Sequence, residues 1–375
     1  MIPFLCFSYM AIAAQVTQPN LEVDGTKENS GKQSKRDSLR TVYPFGFDTN
    51  YVKRYNDRLA VSIFQSQRTF DLRSTQTFFD DPTNISKLNF IARSNKATGI
   101  TIAYDKISLS LAYATPIPES EIARKGKTKY SDYSFSFTSY RYRVELSYRN
   151  YKGFYEDNTA NYDSTFNDTS TYFKRPDMNN LVLKSKFIYF FNKRRFSYNA
   201  VYNNTYRQMK SAGSFFAYSD LFYNSVTDPA GFFPTQVDSF YSNYKRFNDL
   251  RAGGITIGGG YSINIVIFKS LYVNGTIGIA AQFYQQNTRS ADGLVNNHVF
   301  KAGITSSDVR GAIGYNGKNF FIRATIAFDN TVFAISKIQF RSQLIGGSFA
   351  YGYRFKFKER NWVKKMKNHK LYKIL

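Results

Sequence analysis

The chain has 375 residues, 18% of them aromatic, and it carries 51 Lys or Arg against 27 Asp or Glu. This aromatic content excludes a disordered chain, because so many rings can bury enough apolar surface to fold. The formal net charge of +24 indicates an anionic partner, and on charge alone nucleic acid and anionic lipid phosphates are equal candidates. The length allows one large domain or two ordinary ones.

The N-terminus is typical of an exported protein. Residues 2–10 are mostly apolar, and AIAA at 11–14 offers small residues for cleavage. We predict a signal peptide over 1–14, with an atypical start that lacks basic residues, and a flexible polar segment over 15–42; a buried N-terminal strand is the alternative. Cleavage would remove Cys6, the single cysteine, so the mature chain would have no disulfide and no thiol nucleophile.

From 43 to 357 the pattern is that of antiparallel strands. In KISLSLAYA (106–114) large apolar residues alternate with Ser and Ala, and in YRVELSYR (142–149) they alternate with polar and charged residues. Successive side chains of a strand point to opposite faces, so each segment has one apolar and one polar face. FAYGYRFKF (349–357) repeats this with five aromatic residues on one face. Periodicity alone fits a soluble sandwich as well as a membrane barrel.

The connections favour the barrel. Tight turns are predicted at 105–106, 192–195, 268–270 and 316–319, and long polar connections at 116–130, 156–179, 209–249 and 285–297. Short turns at one end and long loops at the other are typical of outer-membrane barrels. We predict an all-β, antiparallel transmembrane β-barrel over 43–357 with about 12 strands (10–14), short periplasmic turns and long outer loops. One strand is predicted over 196–208, whereas 211–224 is either part of an outer loop or a further strand.

Three segments carry a resemblance to a known family. PFGFDTNYVKRYNDRLAVSIFQSQRTFDL (44–72), KSAGSF (210–215) and the alternating C-terminal strand resemble an uncharacterised family of Bacteroidetes-type outer-membrane β-barrel proteins, known as a domain of unknown function. The resemblance covers 44–357. It implies a barrel in the outer membrane and brings no catalytic residues.

The polar faces of the predicted strands carry charges that would point into a lumen. Such charges normally pair with one another and fill the interior. Rings of Arg and Lys also select anions, so an anion-passing lumen is the alternative. The lumen candidates are Arg143, Glu145, Arg149, Asp308, Arg310, Arg323, Arg354 and Lys356, and the predicted lipid-facing aromatic residues are Phe349, Tyr351, Tyr353, Phe355 and Phe357.

No constellation of residues indicates catalysis. His298, in NNHVF (296–300) where a long loop re-enters a strand, is the one candidate for a hydrolase at the barrel rim, but no motif gives it a partner. The acidic loop at 156–170 matches no calcium-binding spacing, and the Gly pairs within strands lack the context of a phosphate loop. We therefore predict no enzyme, no metal and no cofactor.

Residues 358–375 form a basic tail with seven Lys or Arg and one Glu. It is predicted either to lie as an interfacial helix on anionic headgroups or to contact a periplasmic or envelope protein, and a frayed extension is the alternative. The predicted partners are thus outer-membrane lipid and lipopolysaccharide, with a protein at 358–375 as a further candidate. No nucleic acid is expected, because stacking aromatics would have to share a face with the basic residues.

The sequence therefore predicts a protein of the bacterial outer membrane with a structural, assembly-associated or transport role. Two alternatives stay open. One is a rim hydrolase that uses His298, and the other is a soluble basic β-protein that binds polyanions.

Overall fold

A computed structural model of the chain describes residues 46–55, 57–76, 87–93, 96–167, 169–233, 247–290, 295–335, 338–358 and 361–369. The predicted signal peptide (1–14) and flexible segment (15–42) lie outside these ranges.

The helices are α1 (Glu119–Lys125), α2 (Asn199–Tyr202) and α3 (Asn361–Asn368), with one 3-10 turn at Thr159–Asn161. In the part of the chain that is described, no helix is both long enough and apolar enough to cross a bilayer. The strands are β1 (Val52–Arg54), β2 (Arg58–Gln76), β3 (Leu88–Arg93), β4 (Ala97–Tyr104), β5 (Ile107–Ala114), β6 (Lys129–Thr138), β7 (Tyr142–Glu156), β8 (Lys174–Phe190), β9 (Tyr206–Gln208), β10 (Ala212–Thr227), β11 (Phe247–Ile267), β12 (Leu271–Ser290), β13 (Val295–Asn316), β14 (Phe320–Ile335) and β15 (Ile338–Lys356).

The main sheet closes on itself. Its strands are all antiparallel, and β15 pairs with β2 from Lys356↔Arg58 to Ile338↔Gln76. β3 and β4 both pair with β2 and form two parts of one interrupted strand, so the wall has twelve strand positions. The prediction of a barrel of about 12 strands is confirmed, and the soluble sandwich is wrong.

The outer surface of the wall is apolar. Side chains such as Ile63, Leu111, Ile279 and Ile313 are more than half exposed, which a water-facing sheet avoids and a hydrocarbon-facing barrel requires. In FAYGYRFKF the aromatic side chains of β15 lie on this surface: Phe349, Tyr351, Tyr353 and Phe355 are exposed. Phe357 follows the end of β15 and is half-buried, with its ring against that of Tyr104.

The connections are short at one end of the barrel, at 105–106, 139–141, 268–270 and 317–319. Two predicted loops contain strand instead, because β10 and the start of β11 lie within 209–249, and β12 and β13 extend into 285–297. The predicted hairpin at 192–195 and the strand at 196–208 are wrong. The wall position expected for 196–208 belongs to β10, which covers 212–227.

The segment FSYNAVYNNTYRQ (196–208) alternates like a strand, but its polar residues bond the nearby backbone instead. The Ala200 amide donates to Ser197 Oγ at 3.2 Å, and Asn204 has φ of +54° after α2. Ser and Asn compete with a strand ladder in this way, and Asn tolerates the left-handed region. The segment therefore turns back into the barrel.

Residues 46–55 and 192–211 together form what we call the plug. β1 pairs with β9, and Phe47, Val52, Ala200 and Tyr206 form its buried apolar cluster. The Tyr202 hydroxyl donates to Asn274 Oδ1 of β12 at 2.7 Å. The plug thus occupies the short-turn end of the lumen.

The other end of the lumen is filled by apolar side chains, which we call the cap layer. Phe232 and Phe233, which follow β10, pack there with inward residues of the strands, including Phe70, Tyr151 and Phe340. Arg175 fastens this layer, donating to Gly231 O at 2.8 Å and to Glu156 Oε1 at 2.7 Å. Between the plug and the cap layer lies a polar chamber.

Candidate functional site

Ion pairs cross the chamber. Arg310 of β13 donates to both carboxylate oxygens of Glu145 on β7, at 3.0 and 3.1 Å, and to Asp308 Oδ1 at 2.9 Å. Glu145 also binds Arg143, which is buried. A two-pronged Arg–carboxylate contact fixes orientation as well as charge. Opposite walls of the barrel are therefore joined through these side chains.

A second set of pairs runs beside the first. Lys186 of β8 binds Asp308, and Lys184 lies 2.9 Å from Asp329 of β14. Arg149 of β7 lies 3.5 Å from the same Asp329 carboxylate. A cavity of about 270 Å³ remains among these groups. The predicted lumen charges of β7 and β13 thus lie in the chamber, bound to opposite charges.

Two other predicted lumen residues hold the plug. Arg354 is only 1% exposed, and it donates to Asn204 O at 2.8 Å, to Gly317 O at 2.7 Å and to Asn316 Oδ1. Arg323 donates to Tyr202 O and, at 3.1 Å, to Asn204 Oδ1. Lys356, two residues beyond Arg354, is exposed at the end of β15.

The other sequence candidates, His298 and the acidic loop at 156–170, lie at the end of the barrel opposite the short turns, which we call the long-loop end. His298 lies in β13 in register with Gln286 of β12, and its side chain is outside what the structure describes. In the acidic loop, hydrogen bonds from Thr165 lower the pKa of the exposed Asp163 carboxyl. Across the described ranges, no group of three or more His, Cys, Asp or Glu is placed to hold a metal ion.

The wall is incomplete between β5 and β6. Only Ile107↔Phe137 and Ser108↔Ser136 pair across this seam. The Thr138 amide donates to Lys106 O, so the even-numbered residues of both strands direct their backbone groups to the seam. Beyond Ser108 on β5 and before Ser136 on β6, the two strands do not pair, and the backbone N–H and C=O groups that point to the seam face a gap. The residues that carry these groups are Ser110, Ala112 and Ala114 on β5, and Tyr130, Asp132 and Ser134 on β6. We call this gap the window.

Local sequence explains the shape of the window. β5 ends at Ala114, before Pro116 and Pro118, which cannot extend a strand ladder. β6 continues along β7 as far as Lys152, where Gly153, with φ of +90°, accompanies a register shift of β7 against β8. Such a bulge redirects a strand, and beyond it β7 pairs with β3. The wall therefore has twelve strands at the short-turn end and ten at the long-loop end.

A cavity of about 910 Å³ passes through the window. Consecutive residues of β5, from Leu109 to Ala112, line it, so both faces of that strand contact one space. The cavity shares six lining residues with the chamber cavity: Ser66, Arg68, Ser134, Phe135, Leu146 and Ser147. The window thus connects the chamber with the lipid-facing surface.

Three polar side chains lie where the window meets the chamber. Arg68 of β2 binds Asp132 of β6, yet 41% of the Arg68 side chain stays accessible on this inner face. The Tyr151 hydroxyl is buried, lines the cavity and has no hydrogen-bond partner within the described structure. A buried hydroxyl without a partner costs about 1–3 kcal/mol, which a polar ligand in the cavity would offset.

No sequence pattern indicates this site directly, because its residues come from four separate strands, β2, β5, β6 and β7. One feature of the sequence does point to the window. β5 is short and is followed by two prolines, which indicates that its long-loop half lacks a partner on one side.

The chain belongs to the family described as "Domain of unknown function (DUF4421)", whose profile matches residues 47–355. The resemblance to a domain of unknown function is thereby confirmed, while the Bacteroidetes origin stays a prediction. A comparison with curated protein sequences finds no significant match.

Several solved structures are similar in architecture at low identity. The crystal structure of the outer membrane protease OmpT from Escherichia coli is 8% identical, with 82% of this chain and 100% of that chain covered and a TM-score of 0.37. The toluene transporter TodX of P. putida is 8% identical, with 81% and 92% covered and a TM-score of 0.23. A bacterial polysaccharide outer membrane secretin is 8% identical, with 80% and 99% covered and a TM-score of 0.30.

Proposed function

We propose that the protein is a transport barrel of the bacterial outer membrane that exchanges a small molecule sideways, between its chamber and the surrounding lipid. The observation that supports this proposal is the window, because its cavity joins the apolar outer surface to the chamber. The plug and the cap layer occupy the two axial routes. Unpaired strand edges occur at membrane depth only where protein covers them or where they line a water-filled cavity, so the open seam favours a hydrated site that a ligand enters.

The proposed orientation follows the usual arrangement of such barrels, with short turns in the periplasm and long loops outside. Arg354 and the plug then lie at the periplasmic end, and the window opens toward the outer half of the membrane. We propose no catalytic step, and the activity of the site would be binding and transfer alone. An axial, anion-selective pore is less well supported, because the chamber charges are bound to opposite charges.

Cysteine accessibility tests the lateral route. Ser66 of β2 lines the chamber cavity as well as the window cavity, whereas Ala350 of β15 points inward but is fully buried. In purified outer membranes, we expect Ser66→Cys to react with an apolar maleimide dissolved in the bilayer and to resist a charged, membrane-impermeant maleimide. Ala350→Cys should react with neither.

Reaction of Ser66→Cys with the charged reagent alone would show an axial route and would overturn the proposal, as would its failure to react with either reagent. Location is checked on the same sample. The protein should resist a carbonate wash and migrate faster unboiled than boiled, and release by carbonate would contradict a membrane barrel.

A further inference from the structure

We propose that the window binds an anionic amphiphile, with its alkyl tail along the apolar side chains that flank the seam between β5 and β6 and its head group at Arg68 and Tyr151. This inference rests on the proposed lateral route and assigns it a chemical class of ligand. The juxtaposition that carries it is a gap in the wall that is flanked by apolar side chains, opens to lipid, and ends at Arg68 beside a chamber lined by more cationic than acidic residues.

The charges around the two connected cavities favour an anionic head. Their lining includes seven cationic residues and four acidic ones, and Asp220 of β10 makes a fifth acid because it contacts Lys184 and Lys186. The cationic set is Arg68, Lys129, Arg143, Arg149, Lys184, Lys186 and Arg310, and the acidic set in the lining is Asp132, Glu145, Asp308 and Asp329. A carboxylate or phosphate entering this space would lower the excess of positive charge.

Hydrogen-bond donors stand at the inner end of the window. Arg68 has five N–H donors, and its guanidinium reaches Asp132 on the opposite side of the seam. The buried Tyr151 hydroxyl, which has no partner in the described structure, lines the same cavity. Hydrogen bonds to a charged acceptor are stronger than those between neutral groups, so an oxyanion placed here would satisfy Tyr151.

The outer part of the window suits an alkyl tail. Leu109, Leu111, Tyr133 and Phe135 flank it and are all exposed on the lipid-facing side. Lipid tails are as apolar as these side chains, so an alkyl chain lying along them stays in an apolar environment while its head group reaches the chamber. The cavity of about 910 Å³ falls in the size range of small-molecule sites, which is roughly 300–1,000 Å³.

The test uses the whole protein in phospholipid nanodiscs with two photoreactive probes of equal chain length. One is a C16 fatty acid with a diazirine on its tail, and the other is the corresponding uncharged alcohol. After irradiation, we expect peptides that contain 109–114 and 130–135 to carry the fatty-acid label well above the rest of the apolar surface. The alcohol label should be about tenfold weaker there, because the alcohol cannot form a charge-assisted hydrogen bond.

Two variants test which residues contact the head group of the fatty acid. Tyr151→Phe removes only the hydroxyl that has no partner, so it should keep the fold intact and lower fatty-acid labelling about threefold to tenfold. The double variant Arg68→Gln with Asp132→Asn removes both charges together, leaves neither unpaired, and should lower labelling at least as much. Tyr351→Phe, which changes an exposed hydroxyl on β15, is the matched control and should leave labelling unchanged.

The outcomes separate this inference from the proposed function. Equal labelling of the window by both probes would overturn the anionic class and leave the lateral route standing. Labelling that is uniform around the barrel, or that ignores Tyr151→Phe, would overturn the site. The accessibility of Ser66→Cys is measured without either probe, so its failure would count against the route itself.

Discussion

The two sides of this barrel are built differently. On one side, β14 pairs with β15 over sixteen residue pairs and β15 pairs with β2 along its whole length. On the other side, β5 and β6 share two pairs and then separate. The apolar outer face is the same on both sides, so hydrophobic patterning does not distinguish them.

The difference follows from what lies behind each wall. β7 and β8 are tied across the chamber to β13 and β14 by Arg310, Lys186 and Lys184, and β14 and β15 also anchor the plug through Arg323 and Arg354. β5 has no such ties among the described contacts, and near the window β6 is reached by ion pairs from Arg68 and Arg149 to Asp132. The internal contacts therefore hold β7 and β8, beyond β6, to the opposite wall and leave β5 without a described tie across the chamber.

The largest effect is expected from Arg310→Ala. It removes the two-pronged contact with Glu145 and one of the two cations beside Asp308, so that Arg143 and Lys186 are left as their partners, and each hydrogen bond lost to a charged group contributes about 1.5–3 kcal/mol. Urea unfolding of the folded barrel in detergent, followed by the shift in gel mobility, measures it. Arg251→Ala is the control, because its pair with Asp249 is exposed and should contribute about 0–1 kcal/mol. Equal losses in the two variants would refute the structural role of the chamber pairs.

The next effect concerns the plug. Arg354→Ala removes hydrogen bonds to Asn204 O and Gly317 O and leaves buried carbonyls unsatisfied, at about 1–3 kcal/mol for each group. We expect proteolysis within 192–211 to become faster while the rest of the barrel stays resistant. Lys356→Ala changes an exposed cation on the same strand and should leave the digestion pattern unaltered. The same rate in both variants would contradict the anchoring role of Arg354.

A smaller effect compares neighbouring positions of β5. Leu111 pairs with Ile100 and directs its amide to β4, whereas the amide of Ala112 faces the window. Leu111→Pro should therefore lower the free energy of unfolding by about 1–3 kcal/mol more than Ala112→Pro does, because only Leu111→Pro leaves a sheet carbonyl without its donor. Unfolding in urea measures the two. If Ala112→Pro proved the more damaging, the edge of β5 would be paired and the window closed.

The smallest effect on stability is expected from cysteine pairs across the seam. Two such pairs should nevertheless differ clearly in how readily they form a disulfide. Ser108 and Ser136 pair, which fits the Cα separation of about 5.5–6 Å typical of a disulfide. Ser108→Cys with Ser136→Cys should oxidise readily. Ser110→Cys with Ser134→Cys, the next opposite positions had the pairing continued, should stay reduced under the same mild oxidant. Equal oxidation of both pairs would show a closed seam.

Much of the architecture could be read from local patterns. Local sequence predicts the strand at 349–357 with its aromatic face outward and the turns at 105–106 and 268–270, because period-two alternation and short polar turns depend on neighbouring residues alone. The same local pattern wrongly assigns the segment 196–208 to the wall. It alternates, and only its contacts with Asn274, Arg323 and Arg354 reveal that it lies inside the barrel.

The sequence by itself thus determined an all-β barrel with an apolar outer face and a charged inner one. It did not determine which charges meet, because Arg310 and Glu145 are 165 residues apart and residues so distant are brought together only by the register of the closed sheet. Nor did it determine the window. Whether the edges of β5 and β6 pair depends on the length of β5, the bulge at Gly153 and the contact of β7 with β3. That balance between backbone hydrogen bonds and wall geometry exists only in the folded barrel.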